Sequence, residues 1–198
     1  MNIDGDFKDE TGSSRGISTQ EDRALLVHLR KLSDLVLVSD KSAAAEKLNS
    51  TGLSTLGIVL GMGPAGEIPA LTSTKDQVLV FAPNNATKKP SLDESATAQL
   101  VQVSNLLLDR ISPIELSAAI ASLGFRFPLS EFGPVWLSQL AADGIIDELC
   151  LTVTKRPEQS FNAETHLLAL ERLLPDSKLS LSSSYEVGNN IFTRWRRA

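Results

Sequence analysis

Three short runs of apolar residues constrain the fold of this chain most strongly. The runs are Leu35–Val38, Leu56–Leu60 and Val78–Phe81, and none of them contains a charged residue. Such runs are typical of strands that are covered on both faces, as strands in parallel sheets are. Because parallel strands need crossover connections, the sequence between the runs is expected to supply helices.

Helix signals do alternate with these runs. Leucines at helical spacing follow Ser18, and Ser18 together with Glu21 predicts a capping box at the start of the first helix. Residues 43–48 predict a second helix. Strands that alternate with helices predict an α/β fold with a mixed, mostly parallel sheet and helices on both faces.

The second half of the chain continues the alternation and ends differently. Ser112-Pro113-Ile114-Glu115 has the cap, the first-turn proline and the acidic third residue of a helix start. A C-terminal antiparallel hairpin is predicted about Val187-Gly188-Asn189-Asn190. We expect residues 1–198 to form a single domain. The other predicted elements are strands at 100–103, 125–129 and 148–154, and helices at 135–142 and 163–174.

Charge balance and composition argue against several functions. The 198 residues carry 19 basic and 24 acidic side chains, and this net charge of −5 argues against nucleic-acid and anionic-membrane binding. Cys150 is the single cysteine, so no internal disulfide is expected, and we predict a cytoplasmic location. The sequence predicts that Cys150 packs in the core. His28 and His166 are too few and too far apart in sequence to predict a metal site.

One glycine-rich stretch follows a predicted strand. Gly61-Met62-Gly63-Pro64-Ala65-Gly66 matches the spacing of dinucleotide-binding loops. In such loops the third glycine opens a helix whose amides hold the pyrophosphate, whereas Pro64 and Pro69 would interrupt a helix here. The stretch therefore favours a surface loop over a dinucleotide-binding one.

A better candidate for a binding site is Glu131-Phe132-Gly133-Pro134. It lies where a predicted strand ends and a helix begins. Ligands of open α/β sheets bind at the carboxyl ends of strands, and helix N-termini offer amides to phosphate. A purely structural loop would have the same pattern, so the motif alone does not decide between the two.

Two segments together resemble a known protein family. The first includes Asp4-Gly5, Gly12–Ser18, Leu29–Val38 and Ser42 with Glu46, and the second runs from Glu131 to Leu149. In order and spacing they resemble the reductase domain of the bifunctional deaminase-reductase of riboflavin biosynthesis. The final Phe192-x-Arg194-Trp195 is similar to the last strand of that family.

The resemblance implies a fold and an activity. The fold is that of dihydrofolate reductase, and the activity is the NADPH-dependent reduction of a ribosyl ring to a ribityl chain. The implied substrate is a pyrimidine ribosyl phosphate, 5-amino-6-(5-phosphoribosylamino)uracil or a relative. The resemblance also implies that the chain forms a homodimer.

The resemblance assigns roles to individual residues without naming a catalytic one. Ser14, Arg30 and Glu131 match positions that contact the substrate. The positions that match cofactor contacts are Gly16, Ser42, Glu46, Gly133, Pro134 and Val135. Two of these assignments have a structural alternative, since Arg30 also favours a helix C-terminus and Ser42 also suits a helix cap.

The sequence departs from the family pattern at several positions. Phe132 replaces the first of two glycines that usually follow the glutamate, and Asp40 stands where cofactor phosphates are expected. No basic residue occurs within Ser50–Leu53, where the family often has a phosphate-binding arginine. The family's first strand is expected to be only a stub at Met1–Ile3. These departures leave two alternatives, a related reductase with another substrate and a catalytically degenerate dimeric paralogue.

Overall fold

The chain folds into two compact units in a computed structural model. One unit is formed by residues 27–133, and the other by residues 1–26 together with 134–198. Within the described part of the chain, each unit contains one β-sheet. The described residues are 1–2, 4–7, 16–48, 55–61, 66–72, 77–83, 97–103, 110–162, 164–175 and 177–197.

The unit of residues 27–133 is built on a five-stranded sheet. Its strands are β1 (Leu35–Ser39), β2 (Thr55–Val59), β3 (Gln77–Pro83), β4 (Ala98–Val103) and β5 (Pro128–Ser130). The spatial order is β4-β3-β2-β1-β5, and every pair of neighbours is parallel. The three apolar runs form β1, β2 and β3, which are buried almost throughout. The predicted parallel sheet is therefore confirmed.

The helices are described over slightly different ranges from those predicted. They are α1 (Gln20–Leu32), α2 (Asp40–Ala45), α3 (Pro113–Ser122), α4 (Pro134–Ala142) and α5 (Thr165–Leu173), with a 3₁₀ turn at Pro69–Thr72. The second helix begins earlier than expected because Ser39 caps it, its hydroxyl accepting from the Ser42 amide. None of the described helices is long and apolar enough to cross a membrane.

One predicted helix cap is confirmed and the other is wrong. The Ser112 hydroxyl accepts from the Glu115 amide at 3.3 Å, and the Glu115 carboxylate accepts from the Ser112 amide at 2.9 Å. At α1, however, the Thr19 hydroxyl accepts from the Asp22 amide, so the cap lies one residue beyond Ser18. The Asn190 carboxamide also donates to the Thr19 hydroxyl at 3.0 Å, so a residue distant in the sequence contacts this cap.

The other unit carries the antiparallel strands. They are β6 (Glu148–Thr154), β7 (Leu179–Val187) and β8 (Asn190–Arg197), in the order β6-β8-β7. The hairpin turn is the predicted one, with Gly188 at a φ of +57° that favours glycine. The predicted fold class is confirmed, with the hairpin and β6 forming a sheet of their own.

Helix α5 covers one face of this antiparallel sheet. Leu149, Leu151 and Val153 of β6 pack with Trp195 against Ala169, Leu170 and Leu173 of the helix. The prediction that Cys150 lies in the core is wrong, because side chains alternate along a strand and Cys150 points to the opposite, exposed face. Partial loss of water among its neighbours on this face, together with the nearby Glu148 carboxylate, still raises the pKa of the Cys150 thiol.

The N-terminus pairs with the end of β6. The Met1 carbonyl accepts from the Thr154 amide at 2.9 Å, and the Met1 ammonium donates to the Thr152 carbonyl at 2.8 Å. Asn2 forms an isolated parallel bridge with Thr154. Burial lowers the pKa of the Met1 ammonium. Of the strand stub expected at Met1–Ile3, the described residues Met1 and Asn2 form this bridge, and Ile3 lies outside the described residues.

Gly57 lies at a crowded position of the parallel sheet. A Cβ atom built on it would lie 2.7 Å from Leu37, 3.1 Å from Phe81 and 3.2 Å from Leu35. All three of these side chains are buried, so none can move away without displacing other core groups. Glycine at this position allows β1 and β3 to place large side chains over β2.

Adding a methyl group at Gly57 is expected to destabilise the protein. Gly57→Ala should lower the free energy of unfolding by about 1–3 kcal/mol through overpacking. Urea denaturation followed by circular dichroism measures this as a lower midpoint. Gln99→Ala, on an exposed position of β4, is the control and should change stability by less than about 0.5 kcal/mol. An unchanged midpoint for Gly57→Ala would contradict the packing described here.

Candidate active site

Glu131 is positioned by β1, which lies between β2 and the edge strand β5 in the parallel sheet. Its amide donates to the Leu37 carbonyl at 2.9 Å, which extends the pairing of β5 with β1 by one residue. At the other end of the same strand pair, the Asp34 carboxylate accepts from the amides of Arg126 and Phe127. The register is therefore held at both ends, and Glu131 lies at the carboxyl end, where ligands of α/β sheets bind.

Arg30 and Glu131 form a bidentate ion pair. The Arg30 Nε donates to Glu131 Oε1 and its Nη2 donates to Oε2, both at 2.6 Å. The Arg30 side chain is 24% exposed and that of Glu131 is 16% exposed. Two parallel charge-assisted bonds in a partly buried setting are among the stronger polar contacts in proteins. By accepting both bonds, Glu131 raises the pKa of the Arg30 guanidinium.

The ion pair leaves part of the guanidinium available. Nε and one N–H of Nη2 are used by Glu131, and the two N–H groups of Nη1 donate to no group among the described residues. Arginine has five such donors in a fixed plane. Glu131 therefore holds that plane in one orientation, and the outer donors can bind a phosphate, carboxylate or carbonyl oxygen. The structure thus brings together two of the three predicted substrate residues.

The main chain two residues after Glu131 has open space around Gly133. A Cβ atom built on Gly133 would meet no atom within 4 Å, and Gly133 is exposed. Phe132 is half-buried, and no cis peptide bond occurs among the described residues. Pro134 and Val135 begin α4, and both are exposed. Their predicted roles in binding the cofactor stay predictions.

The start of α2 is organised by hydrogen bonds within the protein. The Ser39 hydroxyl accepts from the Ser42 amide and donates to the Ser42 hydroxyl at 2.9 Å. Ser42 is thus part of the helix cap, which was the structural alternative to its predicted role in cofactor binding. Glu46, the other candidate on this segment, ends the helix, and its amide donates to the Ser42 carbonyl.

Asp40, which departs from the family pattern in the sequence, makes contacts that the sequence did not predict. Only 3% of its surface is exposed, and its carboxylate accepts from the Lys41 amide at 2.7 Å and the Gly61 amide at 2.9 Å. Backbone amides therefore compensate its charge. Gly61, the first glycine of the glycine-rich stretch, has this local structural role.

The remaining predicted site residues lie elsewhere in the chain. Gly16 is an exposed turn residue of the unit that contains the termini, and Ser14 lies outside the described residues. Among the residues that the structure describes, no group of three or more histidine, cysteine, aspartate or glutamate side chains is placed to hold a metal ion.

Comparisons with known proteins give matches in structure. No family model matches the chain, and no curated protein matches it significantly in sequence. A Thermotoga maritima diaminohydroxyphosphoribosylaminopyrimidine deaminase/5-amino-6-(5-phosphoribosylamino)uracil reductase is similar over 100% of this chain and 54% of its own, with TM-score 0.71 and 14% identity. This chain has the fold of those reductases. The chain therefore spans about half the length of the bifunctional protein.

Two other solved structures support the same reductase fold. A pyrimidine reductase-like protein of Corynebacterium diphtheriae matches 99% of this chain and 88% of its own, with TM-score 0.64 and 19% identity. A riboflavin biosynthesis reductase of Saccharomyces cerevisiae matches 91% of this chain and 82% of its own, with TM-score 0.59 and 14% identity. The resemblance found in the sequence is thus confirmed at the level of the fold.

Breaking the Arg30–Glu131 pair is expected to cost stability as well as function. Arg30→Met leaves a partly buried carboxylate without its cation, so the free energy of unfolding should fall by about 1–3 kcal/mol. A double-mutant cycle with Glu131→Gln measures the coupling in urea denaturation. Arg126→Met, at an exposed position, is the control and should be almost neutral. A coupling energy near zero would show that the pair does not form.

Proposed function

We propose that this chain is an NADPH-dependent reductase of the riboflavin-pathway type. Its reaction would reduce the ribosyl ring of a 5-amino-6-(5-phosphoribosylamino)uracil-like substrate to the ribityl chain. The observation that carries the proposal is the ion pair between Arg30 and Glu131, two predicted substrate residues 101 positions apart in the sequence. The fold shared with solved riboflavin-pathway reductases supports it.

The proposed division of work follows from the chemistry. NADPH supplies the hydride, so the protein has to bind and orient the reactants rather than provide a nucleophile. Arg30, oriented by Glu131, would bind a substrate oxygen through its outer N–H groups. Ser14 is proposed as a further substrate contact.

The residues proposed for the cofactor are Gly16, Ser42, Glu46, Gly133, Pro134 and Val135. The open space at Gly133 fits this assignment, because a main chain without a side chain can approach a ligand closely. The burial of Asp40 under two amides fits it too, since the carboxylate is compensated rather than left bare. Phe132 is the residue that argues for the degenerate alternative.

The activity is tested with purified protein, NADPH and the pathway pyrimidine. We expect the absorbance of NADPH to fall only when the protein and the pyrimidine are both added to it. Arg30→Met should lower kcat/KM by about 100-fold, because the substrate loses an orienting contact, while Arg126→Met should leave it unchanged. If the protein turns over a different pyrimidine and not the pathway one, the result would favour the alternative of a related reductase with another substrate.

If the unmodified protein shows no reductase activity, the activity of the Phe132→Gly variant is measured in the same assay. Activity that appears only in Phe132→Gly would indicate a damaged site and the degenerate paralogue. No NADPH binding by either form, measured by fluorescence at millimolar cofactor, would reject the proposal.

We also propose that the chain forms a homodimer. The resemblance implies it, and the edge strand β7 supports it with exposed apolar side chains, Leu181 at 39%, Tyr185 at 61% and Val187 at 47%. Exposed apolar groups on a strand edge favour association. Sedimentation equilibrium should give the mass of two chains, whereas a single mass of 21.3 kDa would contradict the proposal.

A further inference from the structure

A cleft of 340 Å³ lies within the unit that contains both termini. One side is formed by Phe161, Asn162 and His166, at and before the start of α5, and the other by Ser184 and Glu186 of β7. None of these residues belongs to the predicted substrate or cofactor sets. The cleft is therefore distinct from the Arg30–Glu131 pair, which belongs to residues 27–133.

The side chains on the α5 side of the cleft are held in place. Asn162 Oδ1 accepts from the Glu164 amide at 3.1 Å and from the Thr165 hydroxyl at 2.9 Å. The His166 ring lies 6.1 Å from the Trp195 ring at an angle of 37°, and Trp195 is buried. Groups that are already ordered lose little entropy when they bind a ligand.

The cleft presents hydrogen-bond donors that no described residue of the chain accepts. Since Asn162 Oδ1 is occupied, the carboxamide offers its NH₂ group. Within the described part of the chain, the His166 imidazole and the Ser184 hydroxyl have no hydrogen-bond partner. Three side chains from two separate elements therefore offer donors to the same space.

The one carboxylate at the cleft is paired with a cation. Glu186 is the one carboxylate among the described side chains that line the cleft. Its Oε1 lies 3.7 Å from the Lys155 ammonium. The same ammonium lies 4.5 Å from the centre of the Phe161 ring. The Lys155 charge therefore compensates Glu186 at the edge of the cleft, and the remaining polar groups can all donate.

We propose that this cleft binds an oxyanion, the phosphate or carboxylate group of a small metabolite. An oxyanion accepts several hydrogen bonds at once, and bonds to a charged acceptor are stronger than neutral ones. A cationic ligand would find only Glu186, which Lys155 already pairs. The proposal does not depend on the reductase activity, because it concerns other residues.

The two histidines of the chain provide the test. NMR signals of the ring C–H groups of His166 and His28 are recorded at one pH while sodium phosphate is added, and again with sodium acetate. Sodium chloride of matched ionic strength is the reference. We expect the His166 signal to shift and saturate, with a dissociation constant on the order of 1 mM, and the exposed His28 on α1 to stay unchanged.

The pattern of shifts decides the ligand class and the proposal. Saturation with phosphate alone assigns a phosphate group, and saturation with acetate alone assigns a carboxylate. Equal shifts of both histidines, or shifts that chloride reproduces, would show a general salt effect and overturn the proposal. Absence of any shift would overturn it as well.

Matched variants locate the binding. Asn162→Asp keeps the oxygen that accepts from Glu164 and Thr165 but replaces the donor by a negative charge, so binding should be lost. Ser184→Ala should weaken binding by about fivefold, because one neutral hydrogen bond is removed. Ser180→Ala, also exposed on β7 but paired with Arg196 further along the strand, is the control. Unchanged affinity in both Asn162→Asp and Ser184→Ala would refute the assignment to this cleft.

Discussion

Strand β1 is the element on which the arrangement of the unit formed by residues 27–133 depends. It pairs with β2 on one side and β5 on the other, so its backbone groups are used along both edges. Its last residue, Ser39, caps α2, and its Leu37 carbonyl holds the amide of Glu131. Because β1 is buried, these attachments are made to a part of the sheet that has little freedom to move.

The two carboxylates near the carboxyl end of this sheet are stabilised in different ways. Glu131 pairs with a guanidinium, whereas Asp40 is held by two backbone amides. A carboxylate in a partly buried place needs such partners, because losing water costs several kcal/mol for an uncompensated charge. The first arrangement leaves donors of Arg30 facing outward and suits binding. The second uses all its partners internally and suits a structural brace.

The departures from the family pattern have different consequences in the structure. Asp40, which in the sequence suggests repulsion of phosphate, is compensated within the protein. Phe132 is half-buried beside an open glycine, so the change from glycine to phenylalanine alters the surroundings of a position that a cofactor would approach. Asp40 is thus compatible with the proposed reductase, and Phe132 is the departure that favours the alternative of a catalytically degenerate paralogue.

Much of the secondary structure was determined by the sequence alone. Strands buried on both faces have to be apolar throughout, so β1, β2 and β3 were visible as runs, and the cap at Ser112 follows from neighbouring residues. Contacts between distant segments leave no such local mark. Only the tertiary structure decided that Arg30 meets Glu131, that Asp40 binds the Gly61 amide, and that Asn190 contacts Thr19 at the cap of α1. Each depends on which helices and strands become neighbours within a unit, and that is settled by burial of the apolar faces of the unit rather than by the residues beside each position.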